Sequence, residues 1–214
     1  MKQLSEVILA NSSISQQVYE GIKSRIITGE IQPGQRLLVL EIARRFDISQ
    51  APVREALERL KHEGLIFSKP NKGAVVTGIT TQEIKDIFSL RELVEPYAMS
   101  ESVQRMTAED FGEVELILEK MNQALEENDP LRVIECDMDF HGYFYEKSGN
   151  HIIASLWDQI RTKIMRFIIV TNQEHAGHEI MEAHYRLLEL IKTADRENLK
   201  AEFKDILKFY KKYT

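Results

Sequence analysis

From Ile14 to Thr28 apolar side chains recur at Ile14, Val18, Ile22, Ile26 and Ile27, a spacing that puts them on one face of a helix. Gly29 stops the pattern. The stretch Gln32-Pro33-Gly34-Gln35 is turn chemistry, with Pro33 presetting φ and Gly34 free to take φ > 0. A second, short helix is predicted over Val39–Phe46, with Ile42, Ala43 and Phe46 facing inward. Ser49 then stands as an N-cap whose hydroxyl accepts from an orphan N–H of the next helix, and Pro52 is tolerated in that helix's first turn. This third helix runs to about Glu63. Val53, Ala56, Leu57 and Leu60 form its core stripe, which leaves Gln50 and Arg54 facing outward. Gly64 ends it. The runs Leu65–Ser68 and Ala74–Thr77 flank the basic, Gly-containing Lys69-Pro70-Asn71-Lys72-Gly73, which predicts a β-hairpin.

Three helices and a hairpin over residues 1–78 make the plan of a winged helix-turn-helix, a unit that binds double-stranded DNA. Its second paired helix enters the major groove by the N-terminal end, and the hairpin loop reaches phosphate or the minor groove. Arg54 lies one turn into that helix, within reach of a base edge or a phosphate. Arg44 and Arg45 are further candidates, weighed against the common fate of an exposed arginine as a solvated charge.

From Thr80 onward the periodicity is helical throughout. Helices are predicted at about 81–105, 108–128, 130–148, 150–172, 178–194 and 196–212, an all-α bundle over residues 79–214. The fold class is therefore mainly α. No nucleotide-binding glycine motif or nucleophile elbow appears in the bundle.

Charge separates the two halves. The whole chain carries −6, but residues 1–78 hold 11 Lys and Arg against 8 Asp and Glu, a balance of +3, which leaves −9 for the rest. A basic first half suits phosphate, and an acidic second half does not lie on a duplex. No apolar run approaches the roughly 18 residues of a membrane span, and the N-terminus lacks a convincing signal-peptide core, so a cytoplasmic protein is expected. The single cysteine, Cys136, agrees with a reducing compartment. Its anionic neighbours Glu135 and Asp137 disfavour a thiolate and a redox role.

Asp137 and His141 stand at i, i+4, so both project from one helix face, and His184 lies on a later helix. A carboxylate and two imidazoles suit a borderline divalent ion such as zinc, nickel or manganese, although an isolated Asp/His pair is more often a surface hydrogen bond. The same three residues admit a rival reading, a metal-dependent enzyme with an open coordination position. No clear general base stands near them to serve it, although Asp139 and Glu146 are close in sequence.

The segments IITGEIQPGQRL, DISQAPVREALERLKHEGLI and KGAVV resemble the GntR family of bacterial transcriptional regulators across the whole N-terminal half. The segments FSLRELVEPYAMSE, DMDFH-x-x-FYEKSGN and EAHYRLLELI resemble the FCD-type ligand-binding domain of its FadR branch. By matched position the resemblance implies DNA contacts at Ser49, Gln50, Arg54, Lys72 and Gly73. Gln50 departs from the arginine common at that position, which implies a different base preference. For the second half it implies an all-α effector and dimerisation domain, with a metal held by an Asp, a His four residues on, a later His and a last His. Asp137, His141 and His184 match the first three, but Ile206 stands at the fourth. The ion is then held by three protein ligands plus water or effector, held weakly, or absent; His175 and His178 could offer a substitute. The resemblance further implies a small organic acid as effector, with Arg91 and Arg161 as candidates for its carboxylate. For Arg91 an intrahelical pair with Glu95 is the alternative. The expected whole is an effector-responsive repressor, homodimeric on an inverted-repeat operator, with an effector-independent DNA-binding dimer as the other reading.

Overall fold

A computed structural model describes residues 13–69, 73–170 and 177–211. The chain divides into two compact units between Gly78 and Ile79. The first contains α1 (Ile14–Ile27), β1 (Arg36–Leu37), α2 (Val39–Phe46), α3 (Gln50–His62), β2 (Ile66–Lys69) and β3 (Gly73–Val76). Helix α1 starts where the Ser13 hydroxyl accepts from the Gln16 N–H at 3.2 Å. It ends before Gly29, whose φ of +75° only glycine adopts at no steric cost. The α3 stripe of Val53, Ala56, Leu57 and Leu60 packs on Val18, Ile22 and Ile26 of α1, as its spacing predicts.

Three details differ from the sequence expectations. The hairpin gains a third strand, because β1 pairs antiparallel with β3 (Arg36 opposite Val75), giving the order β1-β3-β2. A two-residue strand is too short to carry an alternation, so its pattern is invisible in sequence. Phe46, expected inside, is 37% exposed. Ser49 occupies the N-cap of α3, but its side chain makes no capping hydrogen bond. The third position of the helix is Pro52, which has no N–H to offer that hydroxyl.

The second unit is helical among its described residues: α4 (Thr81–Ser102), α5 (Ala108–Glu126), α6 (Pro130–Lys147), α7 (His151–Val170), α8 (Gly177–Lys192) and α9 (Arg196–Lys211). Its starts are strongly specified. Thr107 and Asp110 form a reciprocal capping box on α5, and the Asp129 carboxylate caps α6 ahead of Pro130. Helix α6 packs against α4, α5 and α7, so its side chains reach the middle of the bundle. Phe88, Met121, Phe140, Phe144, Tyr145 and Phe203 are fully buried there. No helix among the described residues is long and apolar enough to cross a membrane.

Candidate DNA-reading face and buried metal site

The first unit offers its chemistry on the surface. Gln50 opens α3 and Arg54 lies one turn on, both exposed, and Arg54 Nη2 donates to Gln50 Oε1 at 2.7 Å. The pair presents an amide and a guanidinium side by side at a helix N-terminus, the end that enters a groove. The uncapped Ser49 hydroxyl lies next to them, and Arg44 and Arg45 are exposed in the last turn of α2. Gly73 opens β3 opposite Lys69 with φ +71°, and a Cβ there would press on Leu38 at 3.3 Å. Lys72 lies outside the described residues.

The second unit hides its chemistry. Asp137, His141 and His184 are each 3% exposed or less, and their ligand atoms lie within 4.8 Å of one another. Asp137 and His141 come from successive turns of α6, and His184 comes across from α8. His184 Nδ1 contacts the Ile180 carbonyl at 2.7 Å, which turns Nε2 towards Asp137 Oδ1 at 2.9 Å. His141 Nε2 faces the same oxygen at 3.6 Å, and its Nδ1 touches Glu95 Oε1 on α4. These are close ion-pair contacts without hydrogen-bond alignment, since His184 Nε2 and His141 Nδ1 are buried without an oriented partner. On the ligand side, His184 Nε2 turned on Asp137 with no aligned hydrogen between them is a condition a divalent cation relieves, so Asp137, His141 and His184 fit one.

Glu95 is the centre of a second tier. It accepts from Arg91 Nε at 2.8 Å and Nη2 at 3.2 Å, and from the Tyr145 hydroxyl at 3.2 Å. Arg91 is in turn flanked by the rings of Trp157 and Phe203, 5.7 and 5.6 Å away. Burial alone would raise the Glu95 pKa, but Arg91 and then His141 hold it down at about 2. Burial alone would lower that of His141, but Glu95 and Asp137 push it up to about 9. Asp137 is held well below the usual carboxylate range against its own burial by the two histidines. Two cations thus balance two anions inside the bundle, and a metal would take the place of the proton on His141.

Arg91 therefore sits at the cluster with its guanidinium engaged by Glu95. Arg161 is not brought there: it is half-exposed and donates to Asp139 Oδ1 at 2.9 Å. Asp139 is two residues from Asp137, which puts it on the other side of α6. Ile206 packs on the core as an apolar residue. His175 lies outside the described residues, as does the side chain of His178. The sequence pattern offers Glu95 only as a rival partner for Arg91, and does not point to Tyr145, Trp157 or Phe203. One signal is present: Gly142, one turn from Met138, leaves the space the Trp157 indole fills, since a Cβ there would collide with Nε1.

A winged helix-turn-helix followed by a helical bundle with a buried polar cluster defines a DNA-binding transcriptional regulator with a sensing domain. Residues 14–76 match the model of the bacterial regulatory proteins of the gntR family, and residues 86–209 match that of the FCD domain. The chain belongs to the GntR family and carries an FCD domain. It is 26% identical over 188 residues to the HTH-type transcriptional regulator McbR of Escherichia coli (strain K12), covering 86% of this chain and 85% of that one. It is 27% identical over 208 residues to the gluconate operon transcriptional repressor of Bacillus subtilis (strain 168), covering 92% and 85%. Among solved structures, E. coli McbR/YncC superposes with a TM-score of 0.76 at 24% identity, covering 95% of this chain and all of that one. A GntR regulator from Rhodococcus sp. RHA1 gives 0.75 at 20% identity, over 94% and 97%; both structures attest the fold. These relatives and families are regulators, which decides against the enzyme reading of the Asp137 cluster.

Proposed function

We propose that this regulator is a homodimeric, cytoplasmic repressor that binds an inverted-repeat operator and is controlled by a small organic acid in its helical unit, beside a divalent cation held by Asp137, His141 and His184. The observation that carries the reading is the buried convergence of those three ligands, each histidine with its other nitrogen set against an acceptor. A bound cation would supply positive charge and, with three protein ligands, coordination room for an effector oxygen. Ile206, which the resemblance sets at the fourth position, carries no ligand atom, so the protein would supply three ligands. The repressor sense is carried over from the gluconate operon repressor, which is named for the operon of a hydroxy acid. Ser49, Gln50, Arg54, Arg44, Arg45, Lys72 and Gly73 meet DNA, with Gln50 and Arg54 reading base edges. A head of charge +3 binds weakly alone, so the dimer supplies the affinity.

The test combines elemental analysis of the purified protein with gel retardation of its own promoter DNA, at low salt, with and without a panel of small carboxylic acids. The reading expects about one divalent ion per chain, retarded DNA, and an acid that changes the retardation. Absence of retardation under every condition overturns the regulator mechanism, and retardation that no acid or chelator alters favours an effector-independent dimer.

A further inference from the structure

Glu95 touches the cation site without belonging to it. The convergent ligand atoms are those of Asp137, His141 and His184, whereas Glu95 meets His141 from the opposite side of the ring. Its carboxylate is fully engaged, with Arg91 and Tyr145 on Oε2 and with Arg91 and His141 on Oε1. It has no exposure to solvent, and Trp157 and Phe203 from α7 and α9 flank the Arg91 that holds it. A carboxylate against the outer nitrogen of a ligating imidazole selects the tautomer and orients the ring, and removing such a partner weakens metal affinity by about 10- to 100-fold.

We propose that Glu95 is the positioning residue of this site: it holds His141 Nδ1 so that Nε2 faces Asp137, and it makes α4 part of the site. The proposal rests on the cation reading above. The bland alternative is that Glu95 serves only as the counter-ion of Arg91. The two differ in what happens when both charges are removed together. A mere counter-ion is no longer needed once Arg91 is gone, whereas a positioning carboxylate is still missed by His141.

The experiment uses the full chain and Zn²⁺ alone. Trp157 is the single tryptophan and its ring lies 6.5 Å from that of His141, so its emission follows loading without a label. Zinc is titrated into wild type, Glu95→Gln and the double variant Arg91→Met with Glu95→Gln, with circular dichroism as the control for folding. Histidine-labelled samples are compared by imidazole ¹H–¹⁵N correlation. Both variants are expected to bind zinc about 10-fold or more weakly. The strongly downfield Nδ1–H signal of zinc-loaded wild type is expected to disappear in both. Because the double variant leaves no lone buried charge, it carries the test where Glu95→Gln alone fails to fold. Wild-type zinc affinity and an unchanged imidazole signal in the double variant overturn the proposal and leave the cation reading standing. Failure of wild type itself to bind zinc, nickel or manganese overturns both.

Discussion

The two units keep their polar chemistry in opposite places. In the head, Gln50, Arg54, Arg44 and Arg45 lie on the surface of an apolar core built from Ile26, Val53 and Leu60. In the helical unit, Arg91, Glu95, Asp137, His141 and His184 are themselves core residues, packed among Phe140, Phe203 and Trp157. A surface site leaves stability to the core beneath it, so its residues change function without changing fold. A buried site does not allow that separation. Each of its charges is tolerated only because another is beside it, and binding and folding there are one equilibrium.

The largest effect that sharpens this contrast lies at the buried pair. Arg91→Met takes from Glu95 its bidentate partner and is expected to cost about 3 to 5 kcal/mol in urea unfolding, whereas Arg91→Met with Glu95→Gln recovers most of that loss. A single variant no weaker than the double would break the contrast. Next in size is metal linkage. Zinc at about 100 times its dissociation constant is expected to stabilise wild type by about 2.7 kcal/mol, and His184→Ala to abolish the gain, as read by thermal unfolding with and without chelator. In the head, Arg54→Ala is expected to lose about 1 to 3 kcal/mol of operator binding by fluorescence anisotropy. Its stability should stay within about 0.5 kcal/mol of wild type; a large loss of stability would show that the head, too, cannot separate the two.

The smallest effect concerns Asp110, at the edge of the bundle. Lys147, the Thr107 N–H and the Tyr143 hydroxyl hold its carboxyl well below the usual range. A lowered carboxylate stabilises above its unfolded value of about 3.9, and the contribution is lost as pH falls below that value and through the folded one. Asp110→Ala is therefore expected to lower stability near neutrality and to flatten the acid limb of the stability profile below about pH 4. An unchanged limb would remove Asp110 from the acid response.

Most of the head is legible in its amino-acid pattern because its signals are local. Val53, Ala56, Leu57 and Leu60 announce a helix by spacing, and Gly29 and Gly64 announce where helices stop. What escapes the pattern is short or conditional: β1 exists only because β3 is beside it, and the Ser49 cap fails because Pro52 lacks a donor. In the helical unit the helices are legible for the same reason, and Asp137 with His141 for theirs, being one turn apart. Glu95, Trp157 and Phe203 come to the cluster from three other helices, so their meeting is set by tertiary packing that no single-helix periodicity encodes. Arg161 has a partner that the sequence pattern does not point to either. Asp139 lies 22 residues back on α6, and the fold brings its Oδ1 to 2.9 Å from the half-exposed Arg161 guanidinium.

Helix α4 contains Pro96 in its interior, directly after Glu95. A proline there has no N–H to donate to the preceding turn, so the continuous helix gives up one backbone hydrogen bond next to the residue that meets His141. From Glu95 back to Thr81 the helix extends about 21 Å, and Ile84, Ile87 and Phe88 anchor that stretch in the bundle core. Gly78 ends the DNA-binding unit and Thr81 begins α4, so the helix that carries Glu95 is also the first helix after the connector in the chain. The residue that meets His141 therefore stands where the backbone ladder is one rung short, and side chains hold it there instead: Arg91, Tyr145 and His141 itself.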